Sequence, residues 1–252
     1  PRLVLIWHEH KGSRITSNKS DNLALYFCSL FFSAIITVNK DLQDWCSENL
    51  ATRKVFYLPN FVPIYFQINN SEREKTIICL ANLRVPKNHQ LLLKAFCLVL
   101  KKHQEWQLKL VGNDFKDSYS NDLQNIIKKE NLEKSIIIAS NKKPVSNELL
   151  MASIGVLSSD SEGLPMAILE YGAAGLPVVC TDVGQCKEVI NEFGILVPPS
   201  NPEALAEGIL HYIENKEKRT HDGLAFSAHI LENYTEDTVI PELLKIYKNT
   251  SK

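Results

Sequence analysis

The 252-residue chain is 44% hydrophobic and 23% charged, with a formal net charge of −1. That length suffices for one large or two modest domains with an ample core. No strongly basic field exists to neutralise phosphates, which argues against nucleic acid as the main partner. The six cysteines (Cys28, Cys46, Cys79, Cys97, Cys180, Cys186) are scattered without a C-x-x-C pair. They read as reduced core residues of a cytosolic protein rather than zinc ligands.

The chain opens with Pro1, directly in a strand pattern over Arg2–Trp7, with no cationic n-region or long h-region. It therefore reads as lacking a signal peptide and as N-terminally truncated. Trp7-His8-Glu9-His10 ends this strand and offers a metal only two imidazoles and one carboxylate. Leu23 to Val38 is apolar but interrupted by Ser29, Ser33 and Thr37. It is shorter than the roughly 20 residues of a spanning helix, so a helix over about 21–33 running into a strand over 34–38 is expected. A helix over 40–49 and a strand over 53–57 follow. Tyr57 to Pro63 breaks the pattern, and Asn69 to Lys75 is polar enough for a linker.

The second block is more regular. Strands are expected over 76–81, 107–111, 135–139, 154–157, 177–180 and 194–197, with helices over 88–103, 118–130 and 146–152 between them. Helices over 202–215, 219–233 and 236–249 close the chain and suit elements outside the sheet. Such alternation implies βαβ units and parallel sheet. In a doubly wound sheet ligands bind at the carboxyl ends of strands, so the loops after 81, 111, 139, 157 and 181 should converge.

One of those loops carries Ser159-Asp160-Ser161-Glu162-Gly163-Leu164-Pro165, which leads into Met166-Ala167-Ile168-Leu169-Glu170. Gly163 lets backbone approach a ligand closely, and Pro165 suits the first helical position. Apolar residues surround Glu170 on nearly every face of the expected helix 166–174, and a buried unpaired carboxylate costs several kcal/mol. Glu170 therefore needs a partner: a core Arg or Lys, or the hydroxyl groups of a bound ligand. The helix N-terminus beside Gly163 and Leu164 is a natural anion site.

Glu162-Gly163-Leu164-Pro165 with Glu170 eight positions after Glu162 resembles the E-x7-E motif of retaining glycosyltransferases of family 4, which have the GT-B fold. The loop Ala81-Asn82-Leu83-Arg84-Val85-Pro86-Lys87 resembles that family's G-R-x-x-x-x-K-G loop at Lys87, with Ala81 and Asn82 in place of Gly and Arg. Val111-Gly112 matches the V-G-x-G turn at Gly112 only. Thr181 to Glu188 resembles T-x-x-G-G-x-x-E, with Gln185 replacing the second glycine. Tyr57 to Val62 is similar to the I-P-N-G-V segment at the interdomain junction, with Phe61 for Gly.

The resemblance implies an α/β architecture of GT-B type: two Rossmann-like domains with parallel sheets, the first incomplete. Residues 1–70 would be a partial acceptor-side domain and 71–235 the donor-binding domain. The helix 236–252 would pack back on the first. It further implies that Glu162 orients the donor sugar, Glu170 holds the ribose, and Lys87 with Arg84 meets the diphosphate. Gly163, Leu164, Pro165, Ser159, Gly112 and Asn141 would line the donor, and His10 or His8 the sugar pocket. Alternatively, Lys87 and Arg84 form a solvated basic turn, and Ser159 is a turn residue.

The implied reaction moves a sugar from a UDP-sugar or GDP-sugar donor to a glycan or lipid-linked acceptor hydroxyl, with retention and without a metal or cofactor. The implied setting is cell-surface polysaccharide or lipopolysaccharide assembly, in the cytoplasm or at the inner face of its membrane with at most peripheral contact. The alternative is a nucleotide-sugar-binding fragment without catalysis. An NAD-dependent enzyme lacks support, since no G-x-G-x-x-G follows an expected strand.

Overall fold

Short runs of three to five residues, mostly apolar and too short for helices, pair into two all-parallel sheets. The computed structural model describes residues 3–15, 17–63, 66, 72–139 and 145–251. The first sheet has the order β1 (Ile6–Glu9), β2 (Ala34–Thr37), β3 (Val55–Tyr57). The second runs in the order β6 (Ile136–Ala139), β5 (Gln107–Val111), β4 (Thr76–Leu80), β7 (Ile154–Leu157), β8 (Val178–Thr181), β9 (Gly194–Val197). Strands β2, β7 and β8 are buried throughout, which is why they read as unbroken apolar runs.

In the first sheet the crossovers are α1 (Leu23–Cys28) and α2 (Lys40–Asn49). In the second, α3 (His89–Leu100), α4 (Ser118–Lys129) and α8 (Pro202–Glu214) share one core with Ile77, Leu108 and Val156. On the opposite face α6 (Met166–Ala173), α7 (Cys186–Ile190) and α9 (Lys216–Asn233) pack with Ile78, Val178 and Cys180. Adjacent residues Ile77 and Ile78 thus feed opposite cores, as strand alternation requires. The short α5 (Ser146–Met151) and the last helix α10 (Glu236–Thr250) complete the chain.

Several boundaries differ from expectation. The first strand is Ile6–Glu9 and not Arg2–Trp7, so His8 and Glu9 lie within it. The helix expected over 21–33 narrows to α1, flanked by 3-10 turns at Lys19–Asn22 and Ser29–Phe31. Leu25 is core, but the two phenylalanines are not: Phe27 is 70% and Phe31 76% exposed. Cys28 on the same helix is exposed too, unlike the four buried cysteines. Pro165 is the N-cap of α6 and not its first helical residue. The five-residue α7 was not anticipated, because one turn shows no periodicity.

The expected polar linker ends in a structural residue. The Arg73 guanidinium donates to the carbonyls of Leu149 (3.1 Å), Ala152 (2.9 Å) and Ala174 (2.6 Å). It thereby caps the C-terminal ends of both α5 and α6, where carbonyls lack partners and a cation is favoured.

Strand order reverses between β4 and β7, and their backbone pairing covers only Ile77–Ile154 and Ile78–Gly155. Beyond that point the fully buried Tyr171 takes over: its hydroxyl accepts from Leu80 N (2.6 Å) and donates to Val156 O (3.1 Å). Both strands are satisfied by a side chain while they part. A crevice at such a reversal, at the carboxyl ends of the strands, is where open α/β sheets bind ligands.

Candidate functional site

The loops leaving β4 and β7 flank this reversal and are stitched to each other. Asn82 Oδ1 accepts from Asn113 N (2.9 Å), tying the β4 loop to the β5 loop. Asn88, the N-cap of α3 in left-handed conformation, accepts from Leu91 N (3.1 Å) and donates to Asp160 Oδ1 (2.7 Å). Asp160 N donates to Pro86 O (2.9 Å), and Ser158 Oγ to Lys87 O (3.0 Å). With its backbone so held, Lys87 donates Nζ to Glu162 Oε1 at 2.6 Å. Ser159 Oγ donates to the same oxygen at 2.5 Å, and its own carbonyl accepts from Thr181 Oγ1 (2.6 Å). This carboxylate is thus met by one ammonium and one hydroxyl, both on Oε1, with no partner on its second oxygen among the described residues.

The Glu162–Gly163 turn is gripped from two sides. A Cβ on Gly12 would stand 2.8 Å from Glu162 O and from Gly163 N. Gly184, at φ +52°, would put a Cβ 2.3 Å from Glu162 O. Both positions therefore exclude a side chain. Gly163 differs, since a Cβ there would make only ordinary contacts, 3.4 Å from His10 O at the nearest. Packing by the surrounding protein therefore does not require glycine at this position. Gln185 N donates to Gly163 O (3.0 Å), and Asn60 Nδ2 donates to the carbonyl of the buried Leu164 (3.2 Å). Pro165 then starts α6, whose first turn has no side-chain cap.

Glu170 is half-buried, not enclosed, and no donor or cation among the described residues pairs with it. Burial alone pushes its carboxyl up to about 7. Arg73, whose side chain reaches the C-terminal end of the same helix, is engaged with helix-end carbonyls.

The first sheet delivers the histidines. His8 and His10 stack at 6.2 Å between centroids, and the hydroxyl of Tyr247 on α10 lies 3.1 Å from His8 Nε2. Burial and then the neighbouring His10 hold the His8 imidazole below its usual pKa. Between them, buried Glu9 accepts from Arg14 Nε (3.0 Å) and Lys11 N (2.9 Å), and Arg14 also donates to Asn22 (2.9 Å). That network shapes the turn that brings Gly12 to Glu162.

Other expected residues stand apart. Arg84 is exposed and its side chain has no partner among the described residues. Gly112 packs on the Ala81 carbonyl, 2.1 Å from where a Cβ would be, which explains the glycine without a ligand. Asn141 lies outside the described residues. Sequence reasoning missed Gly12, Arg14, Ser158 and the Asn88–Asp160 bond. Only Lys11-Gly12-Ser13, a turn-forming tripeptide after a strand, carried a signal.

Residues 62–222 match the family model described as glycosyl transferases group 1. The chain belongs to that family. Glycosyl transferases group 1 relatives include an O-antigen biosynthesis glycosyltransferase of Escherichia coli, WbnH, 29% identical over 178 residues and covering 68% of this chain and 48% of its own. An exopolysaccharide phosphotransferase of Streptomyces coelicolor is 28% identical over 249 residues, 94% of this chain and 26% of its own. The chain therefore spans less than half the length of either relative. Anabaena HepE, solved with UDP and glucose, superposes with a TM-score of 0.87 at 17% identity, over 97% of this chain and 71% of its own. The fold of this group 1 chain is accordingly that of GT-B glycosyltransferases.

Proposed function

We propose that this chain carries the donor site of a retaining glycosyltransferase that uses a nucleotide-diphosphate sugar, UDP-linked or GDP-linked. The observation that supports this most is the Lys87–Glu162–Ser159 cluster at the β4–β7 reversal, facing the uncapped start of α6. The free Glu162 oxygen suits a sugar hydroxyl. Lys87, the exposed Arg84 and the α6 N-terminus suit a diphosphate, whose charge grows as the glycosidic bond breaks. In this reading no metal is required. Unpaired Glu170, about one helical turn inside α6 from that N-terminus, suits the two ribose hydroxyls. His10 approaches the sugar from the first sheet, its carbonyl already against Gly163.

The relatives named for exopolysaccharide and O-antigen biosynthesis support a glycan or lipid-linked acceptor. No helix among the described residues is long and apolar enough to cross a membrane. Isothermal titration with UDP, GDP and their sugars tests the site. Saturable binding by one nucleotide class, lost in Glu170→Ala, is expected, and no binding by any would refute the reading. Binding without sugar transfer to any acceptor would favour the alternative, a non-catalytic nucleotide-sugar-binding fragment.

A further inference from the structure

Gln185 stands where the resembled T-x-x-G-G-x-x-E segment has glycine, yet its side chain is 3% exposed and reaches from the second sheet to the first. With the amide oriented so that donors face acceptors, Nε2 donates to Val38 O (3.1 Å) and Oε1 accepts from Lys40 N (3.3 Å). Val38 follows β2 and Lys40 opens α2, so both are main-chain groups of one strand–helix junction. Asn39, the N-cap, already accepts from Leu42 N (2.7 Å). The Lys40 N–H, one of the orphan donors of a first helical turn, is left to Gln185. The Tyr57 hydroxyl at the end of β3 neighbours the same amide.

The main chain of this residue points the other way. Gln185 N donates to Gly163 O (3.0 Å), and the preceding Gly184 lies against the Glu162 carbonyl. One residue is therefore bonded to the Glu162–Gly163 turn through its backbone and to the first sheet through its side chain. Glycine at this position would leave Val38 O and Lys40 N without those partners.

We propose that Gln185 is a positioning residue that locks the Glu162–Gly163 turn to the β2–α2 junction, so that Glu162 and the His10–Gly12 turn face one ligand together. It acts through Gly163 and touches no reacting atom. The consequence for turnover rests on the donor-site reading above, whereas the lock itself is tested without it.

Amide hydrogen exchange on the protein and its Gln185→Gly variant reads the lock directly. The Lys40 amide should exchange about tenfold faster or more in the variant, with the Leu42 amide unchanged. UDP affinity should stay within about twofold, while kcat for sugar transfer falls about tenfold at constant donor KM. Gln185→Glu keeps the acceptor for Lys40 N and loses the donor to Val38 O. It serves if the glycine variant does not fold, and should lower kcat while Lys40 stays protected. Unchanged Lys40 exchange in Gln185→Gly overturns the lock, and unchanged kcat in either variant overturns the positioning role. A wild type that neither binds nucleotide nor transfers sugar defeats the donor-site reading instead, and exchange alone then decides the lock.

Discussion

Lys87 Nζ and Glu162 Oε1 lie 2.6 Å apart although 75 residues separate them in the chain. The Lys87 side chain retains 21% of its exposure and that of Glu162 9%, so the pair is shielded but reachable from the crevice. In the proposed donor site, a ligand phosphate entering there would compete with Glu162 for the ammonium, and the cation would stand where a leaving diphosphate gains charge.

Lys87→Ala should therefore lower sugar transfer by about 100- to 1,000-fold, the scale of losing one preorganised charge stabiliser. Arg84→Ala should cost less, because Arg84 starts exposed and unpaired among the described residues. Steady-state kinetics on both variants checks the order, and an equal or larger loss in Arg84→Ala reverses the assignment.

Glu170 predicts a pH dependence. Its carboxyl, ordinarily near 4.5, is raised to about 7 by desolvation. Between those values the folded state holds a proton that the unfolded state has lost, so stability contributed by this site falls as pH rises from about 4.5 to about 7. Glu170→Gln removes the term, and its Tm advantage over wild type should be near zero at the acidic end and full above neutrality. Ribose hydroxyls donating to the carboxylate favour its charged form. Nucleotide binding at neutral pH should thus release protons, measurable by calorimetry in buffers of different ionisation enthalpy, and Glu170→Gln should abolish the release.

Gly12→Ala puts a methyl group 2.8 Å from two backbone atoms of the Glu162–Gly163 turn. Neither atom is the end of a flexible side chain, so the turn or the first sheet must shift, at about 1–3 kcal/mol. A lowered Tm together with weaker donor binding is the expected outcome. Loss of neither would show that the turn is not gripped from this side.

Arg14→Ala leaves Glu9, which is 2% exposed, without its cation. Breaking one side of a buried pair costs about 3–5 kcal/mol. Denaturant unfolding should register that loss, and Glu9→Gln in the same background should recover much of it by removing the stranded charge.

The legible parts of the chain were those with a local signature. Buried strands such as Ile154–Leu157 show as apolar runs, and α3 and α8 show as helical stretches. The E-x7-E spacing of Glu162 and Glu170 marked the loop and helix that build the site. Illegible were features whose cause lies elsewhere in the chain. Helical periodicity could not show that Phe27 and Phe31 would remain exposed, because exposure depends on what covers them. Nor could it show that Glu170 would be only half-buried, since an apolar helix face says nothing of the crevice beside it.

By itself, then, the sequence determined the parallel α/β class, the ends of strands at which loops would gather, and the candidate carboxylates and lysine. The class and the strand ends follow from backbone periodicity, which acts over a few residues, and the candidate residues from motifs that resemble the family's. Tertiary structure alone decided that strand order reverses between β4 and β7, and hence that Lys87 meets Glu162. It alone set Gly12 against that turn and carried the Gln185 amide to Val38 and Lys40. The reason is physical: side-chain proximity across 75 residues depends on which strands are neighbours, and only the closed packing of both cores selects that order.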